Sequence, residues 1–326
     1  MNKILILFSI LSLTLSLRQG LKEEKNLFRF FQHYVKKYEK KYSSVEEYMA
    51  RFNIFKSNLK KFNQNSSFKQ GITQFSDMTQ NEFRRVYLNL KINVLNTLKF
   101  GKPNEIVGDE PPEAFNWLDK KVLTDVKDQG YCGSCWAFSA VGNIEALYYL
   151  KYGENVRFSE QQLVDCDTYD SGCDGGIMEN TFKWIIDNGG LTTEKEYPYV
   201  GYDQKCKTGK KPGVQISDFV LLNTTDEEYI KKYLYQVGPL AIAINADPLQ
   251  FYTGGIVDES AYSCDPEGLN HGVVLVGYGH DDDEDKDFWI IRNSWGKRWG
   301  EKGYARVARG KGVCGINTYV TTAVLK

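Results

Sequence analysis

Residues 129–138 read Gln-Gly-Tyr-Cys-Gly-Ser-Cys-Trp-Ala-Phe. They lead into a stretch from Cys135 to Leu150 in which Phe138, Val141, Ala146, Leu147 and Leu150 can share one helical face, with Gly153 placed to stop it. Cys135 therefore heads a predicted helix, where unpaired backbone N–H groups and the positive end of the dipole favour a thiolate over a thiol. The thiolate is the reactive form, so Cys135 is a candidate nucleophile.

Activation of such a thiol calls for a neighbouring imidazole, and the chain has three histidines. His33 lies in an N-terminal segment expected to be removed. His280 stands in a predicted turn beside Asp281, Asp282, Asp283 and Glu284 and reads as a solvated side chain. His271 sits at the mouth of a predicted strand, in Leu269-Asn270-His271-Gly272-Val273-Val274, 136 residues after Cys135 (271 minus 135). Asn293, in Ile291-Arg292-Asn293-Ser294-Trp295-Gly296, follows 158 residues after Cys135 (293 minus 135). A rival reading pairs Cys132 with Cys135 as a C-x-x-C redox or zinc motif. Zinc would want further Cys or His ligands at close spacing, and a thioredoxin-like site would want a βαβ setting, so no metal is expected.

Working outward, residues 1–17 read as a secretory signal peptide. Lys3 precedes an apolar run from Ile4 to Leu17, shorter than the roughly 20 residues that a membrane span needs. From about Leu21 to Lys99 there is no cysteine, and Tyr48, Phe52, Phe55, Leu59 and Phe62 show helical spacing. Gly101, Pro103, Gly108, Pro111 and Pro112 mark an exposed linker and a processing boundary, giving a helical segment 18–110 and a body 111–326. All seven cysteines lie between Cys132 and Cys314; in an oxidising compartment they are expected to pair, and an odd count leaves one thiol over. Later segments, Leu240 to Ile244, Gly272 to Val276, Phe288 to Ile291 and Tyr304 to Ala308, read as short strands, so a helical half precedes a β half. With 326 residues, 42% hydrophobic and 25% charged, the chain is packed and globular; its net charge of -1 supplies no field for nucleic acid or anionic lipid.

Cys132-Gly133-Ser134-Cys135-Trp136, followed by the histidine and asparagine segments in that order, resembles the papain-like cysteine proteases, of the cathepsin L and cathepsin F type. His271 falls inside that family's spacing of about 130–150 residues. Asn293 overshoots it, and the acidic tract between Gly279 and Phe288 accounts for the excess as a lengthened hairpin connection. The resemblance implies an α+β fold with a helical left domain and a β-barrel-like right domain, preceded by a helical prodomain. It implies Cys135 as nucleophile, His271 as acid and base, Asn293 orienting the imidazole, Trp295 shielding that hydrogen bond, and Gln129 as an oxyanion-hole donor. It also implies the pairs Cys132–Cys173, Cys166–Cys206 and Cys264–Cys314.

Gly175 and Gly176 would let an extended peptide approach closely, or else form a plain turn. The resemblance places Ile177, Met178, Ala243, Leu269 and Tyr319 around the pocket for the second residue before the scissile bond, which implies a preference for Leu, Val or Phe there. No histidine-bearing insertion caps the cleft, so endopeptidase action is implied, without a cofactor. Glu47, Arg51, Phe55 and Asn58, then Gly71, Phe75 and Asp77, match the inhibitory prosegment, with Phe62, Ser66 and Thr73 departing from its pattern. Acid would loosen that prosegment by protonating its carboxylates. Expected partners are peptide and protein substrates, the chain's own prosegment and cystatin-type inhibitors; a monomer in the secretory pathway, lysosome, vacuole or extracellular space is implied. Asn65 and Asn223 head glycosylation sequons. A non-catalytic peptide binder and an acyl-transfer ligase using the same residues are the alternative readings.

Overall fold

A computed structural model describes residues 22–62, 66–92 and 108–326. The leader read at 1–17, Asn65 and most of the linker lie outside the described residues. The described residues form two compact units, 22–62 with 74–79, and 66–73 with 80–92 and 108–326.

In the first unit, helix α1 (residues 22–37) and helix α2 (Val45–Leu59) pack through aromatic rings. Phe31 is fully buried among Tyr34, Tyr42, Tyr48, Phe52 and Phe55. Ser44 caps α2 by accepting from the Glu47 N–H, and the Glu47 carboxylate reaches back to the Ser43 N–H at 2.7 Å. Asp77 gathers the far side, accepting from Tyr34 at 2.6 Å and Tyr42 at 2.8 Å and pairing with Lys40 at 3.0 Å. Arg51 donates to the Asp77 carbonyl at 3.1 Å, and Asn58 to the carbonyls of Ser76 and Met78 at 3.0 and 2.8 Å. Phe62, counted with the helical face from its spacing, falls beyond the end of α2.

The second unit is α+β. Helices α3 (Gln80–Tyr87), α4 (Cys135–Tyr152), α5 (Glu160–Cys166), α6 (Met178–Asp187) and α7 (Glu227–Val237) accompany one nine-stranded sheet. Its strands are β1 (Phe68–Gln70), β2 (Phe115–Asn116), β3 (Ile216–Leu221), β4 (Leu240–Ile244), β5 (Tyr252–Val257), β6 (His271–Asp281), β7 (Lys286–Arg292), β8 (Tyr304–Ala308) and β9 (Val320–Leu325). They are ordered β1-β5-β8-β7-β6-β4-β9-β3, with β2 on β6. Helix α4 is apolar nearly all round and is buried accordingly. It ends where Gly153 adopts a left-handed φ of 73° and donates to the Tyr149 carbonyl. Among the described residues no helix is long and apolar enough to cross a membrane.

The acidic tract forms the hairpin connection expected from the sequence, but its ends, and His280 with them, belong to the strands and not to a turn. It is the tip of a hairpin: β6 and β7 run on through it, with His280 opposite Asp287 and Asp281 opposite Lys286. Charge pairing holds the arm, Asp281 to Arg306 at 2.9 Å and Lys286 to Asp258 at 3.0 Å. Disulfides join Cys132–Cys173, Cys166–Cys206 and Cys264–Cys314, and Cys135 is the free cysteine among the described residues.

Candidate active site

Cys135 is the first residue of α4 and His271 the first of β6, and a glycine lets the two starts meet. A Cβ on Gly272 would lie 3.1 Å from the Cys135 carbonyl oxygen and 3.2 Å from Ser139 Cβ. Ser139 fastens the same contact by donating to the Val273 carbonyl at 2.7 Å. Both Cys135 and His271 are fully buried.

His271 Nε2 lies 2.8 Å from Asn293 Oδ1, and the Ser294 N–H, donating to the same oxygen at 2.7 Å, fixes the amide's orientation. Nε2 is thereby engaged, which leaves Nδ1 as the nitrogen able to take a thiol proton. The indole of Trp295, itself buried, covers the imidazole at 4.7 Å between ring centroids. Gln129 is tied on both edges. Its Oε1 accepts from Ser294 Oγ at 2.7 Å, and its Nε2 donates to the carbonyls of Cys132 at 3.0 Å and Tyr87 at 3.4 Å.

The Tyr87 carbonyl belongs to a covering stretch of the prosegment, at residues that the sequence reading did not single out. After α3 the chain runs extended: the Leu90 N–H donates to the Asn270 carbonyl at 3.1 Å and the Lys91 N–H to the Gly176 carbonyl at 3.0 Å. Leu90 and Gly176 form a parallel bridge. Gly133 and Gly175 make room for Asn89, because a Cβ on either would fall within 2.4 and 2.1 Å of it. Leu90 is buried in the same apolar cluster as Ile177, Met178, Ala243 and Tyr319, with Leu269 packed against it. Phe83 meets Trp295 edge-on at 5.3 Å. The alternation in Tyr87-Leu88-Asn89-Leu90-Lys91 is the only sequence hint of an extended run.

Burial dominates the electrostatics of the pair. Burial pushes the Cys135 thiol up to about 11, outweighing backbone hydrogen bonds from Gly272, Asn89, Trp136 and Cys135 itself. Burial takes the His271 imidazole down to about 4, against an opposing pull from Asn293 and the Tyr87 backbone. Both shifts favour a neutral thiol and a neutral imidazole, against the pull of the helix start on the thiol. His280 lies on the exposed hairpin, where a hydrogen bond with Asp287 at 2.9 Å raises its affinity for a proton, and His33 lies on α1, its Nδ1 2.7 Å from the Arg29 carbonyl.

One free thiol, an imidazole and amide in contact, and a peptide segment laid over them describe a thiol protease held in precursor form. Residues 111–324 match the model of the papain family cysteine proteases, and residues 31–83 match that of the cathepsin propeptide inhibitor domain. Cysteine proteinase 15A of Pisum sativum is 42% identical, covering 92% of this chain and 88% of its own. Cathepsin F of Drosophila melanogaster is also 42% identical over 90% of this chain, and 50% of its own length is covered. Digestive procathepsin L2 of Tenebrio molitor superposes with a TM-score of 0.82 at 31% identity, covering 92% of this chain and all of that one (100%). The proform of the ragweed pollen cysteine protease Amb a 11 gives 0.83 at 34% identity, over 94% of this chain and 97% of its own. The chain belongs to the papain family of cysteine proteases, as a precursor that carries its own propeptide inhibitor domain.

Proposed function

We propose that the body from residue 111 to 326 is an endopeptidase working through Cys135, His271 and Asn293, released from a propeptide at 18–110 after a signal peptide at 1–17. The observation that carries this reading is the track of the covering segment. It lays a peptide carbonyl, that of Tyr87, on the Gln129 amide and an apolar side chain, that of Leu90, into the Ile177–Met178–Ala243 cluster. A substrate would use the same fixtures.

In the reaction His271 Nδ1 takes the Cys135 thiol proton, and the thiolate adds to the scissile carbonyl carbon. Gln129 Nε2 and the Cys135 N–H stabilise the oxyanion, each donor contributing about 3 kcal/mol. His271 returns the proton to the leaving amine as the C–N bond breaks, giving an acyl-enzyme and a free amine. Water, deprotonated by His271, then frees the acid and restores the thiol. Asn293 keeps the imidazole in the orientation that presents Nδ1, and Trp295 keeps water from that hydrogen bond. Gly176 supplies backbone to the substrate chain, and Ile177, Met178, Ala243, Leu269 and Tyr319 favour Leu, Val or Phe at the second position before the scissile bond. The enzyme acts as a monomer in the secretory pathway, lysosome, vacuole or outside the cell, open to cystatin-type inhibitors and glycosylated at the exposed Asn223.

Acid treatment of the purified precursor, with and without Cys135→Ala, tests the reading. Wild type should trim near Pro111 and then hydrolyse a Leu-Arg fluorogenic peptide, while the variant does neither. A variant that matches wild type sinks the mechanism, and a folded but inert wild type leaves a peptide-binding module. Product that carries an added amine in place of water would identify a ligase.

A further inference from the structure

One ion pair beside the cleft joins two residues with different fates. Arg84, on α3, grips Asp247 with two hydrogen bonds, Nε to Oδ1 at 2.8 Å and Nη2 to Oδ2 at 2.5 Å, the paired geometry in which guanidinium and carboxylate bind most specifically. The carboxylate is the enclosed half, its side chain 7% exposed against 45% for Arg84. Asp247 is positioned by the protease body. It opens the short helical turn Asp247–Phe251 that follows β4, its N–H donates to Asn245 Oδ1 at 3.1 Å, and Asn270 Nδ2 lies 3.3 Å from its Oδ1. Asn270 immediately precedes His271 in the chain.

The course of the covering segment fixes which side of the site this is. Arg84 lies on Asp247, the Tyr87 carbonyl lies at Gln129, and Leu90 lies at Gly176. The segment therefore meets Asp247, then Gln129, then the apolar pocket as it crosses the site. If the pocket takes the residue before the scissile bond, Asp247 borders the residues after it.

We propose, resting on the endopeptidase reading above, that departure of Arg84 turns Asp247 into an acidic subsite on the leaving-group side of the cleft. There it selects Arg or Lys within the first three residues after the scissile bond. Arg84 belongs to the segment that leaves, and Asp247 to the body that stays. Once it is gone, the two carboxylate oxygens that faced the guanidinium are open to another cation, held in place by Asn245 and Asn270. An acidic substrate residue would meet like charge in the same place and be rejected.

The test uses the processed enzyme and internally quenched peptides with Leu at the second position before the bond. The first, second and third residues after the bond are replaced in turn by Arg, Gln or Glu. At one of these positions Arg should exceed Gln in kcat/KM by about fivefold, the scale of a single accessible ion pair, and Gln should exceed Glu. The ratio should shrink as salt is raised. Asp247→Asn should bring it to about one, Asp247→Glu should preserve it, and Asp247→Lys should turn it in favour of Glu. A wild-type ratio near one at all three positions overturns the proposal, as does a preference that survives Asp247→Asn. Cleavage of the Gln peptides by wild type reports on the endopeptidase reading separately, so loss of the subsite and loss of the catalytic assignment give different results.

Discussion

Asn293 Oδ1 lies 2.8 Å from His271 Nε2 beneath the indole of Trp295, so that hydrogen bond holds a fully buried imidazole under an aromatic ring. That bond strengthens when the ring carries a positive charge, the state it reaches once the thiol proton has moved. A hydrogen bond to a charged group is worth about 1.5–3 kcal/mol. Asn293→Ala should therefore lower kcat/KM of the processed enzyme by about 10- to 100-fold with a near-native fold. Activity of Asn293→Ala within twofold or so of wild type would show that packing alone orients the ring.

The cover over Cys135 predicts a masked thiol. With the thiol at about 11 in the precursor, very little thiolate exists at neutral pH, and burial slows access further. Iodoacetamide should label the precursor at least about a hundredfold more slowly than the processed enzyme at pH 7, where solvation allows a thiolate–imidazolium pair. Intact mass measures this cleanly, because the six other cysteines are in disulfides. Equal labelling rates would mean that the segment from Tyr87 to Lys91 does not protect the thiol in solution.

The residues proposed to carry the chemistry are the ones a sequence makes legible. Cys135, His271 and Asn293 could be named because few side-chain types serve those roles and each sits in a distinctive run. Strands β4 and β8 have the bounds that their β-branched and aromatic runs suggest, Leu240–Ile244 and Tyr304–Ala308. What escaped is made of backbone. The covering segment binds through the Leu90 and Lys91 N–H groups and the Tyr87 carbonyl, which almost any sequence offers. The parallel pairing of β5 with β8 depends on contacts about 50 residues apart in sequence, beyond any local pattern. The hairpin connection itself was legible, but not how far its strands run, because its charges look solvated whereas Arg306 and Asp258 pair with two of them.

Long-range pairing also hid a buried cation. Lys127 Nζ lies 2.5 Å from both Glu145 Oε1 and Glu160 Oε1, and all three residues are buried. Thr124 Oγ1 donates to the other Glu145 oxygen, Oε2, at 2.6 Å, and the Phe158 N–H donates to the Oε1 that also receives Lys127, at 2.9 Å. Lys127→Met would keep the stem and leave two carboxylates facing each other without a counter-charge. The expected cost is about 3–5 kcal/mol, read as a lower urea midpoint at unchanged slope. Glu160 is already raised by burial, to about 7, so protonation should partly rescue the variant below neutral pH. A midpoint equal to wild type at pH 7.5 or so would mean that the site relaxes to admit water.

Asp167 and Asp170 supply the last prediction, a proton shared below the Gly176 wall. Asp170 Oδ1 accepts from the Ile177 N–H at 3.1 Å and from Asn180 Nδ2 at 3.0 Å, and Asp167 Oδ1 accepts from the Tyr169 N–H at 2.8 Å. The other oxygen of each, Oδ2, is buried without a hydrogen-bond partner, and one proton held between the two carboxyls would satisfy both. Burial raises both groups, and for Asp170 the neighbouring carboxylate adds to the rise. The sign follows from proton binding. Above the unfolded value of about 3.9 the native state holds a proton that the unfolded chain has lost, so stability falls as pH rises toward the raised values. The slope is at most about 1.4 kcal/mol per pH unit for one proton. Asp170→Asn keeps the acceptor for Ile177 and offers an N–H to Asp167 Oδ2 at every pH. Urea unfolding of wild type and variant across pH 4–8 or so should show the variant losing less stability toward neutrality. Other raised carboxyls, Asp128, Glu160, Glu179 and Glu194, are present in both proteins and cancel in the difference. Parallel curves would mean that the two carboxyls do not share a proton and that Asp170 acts only as the acceptor for Ile177.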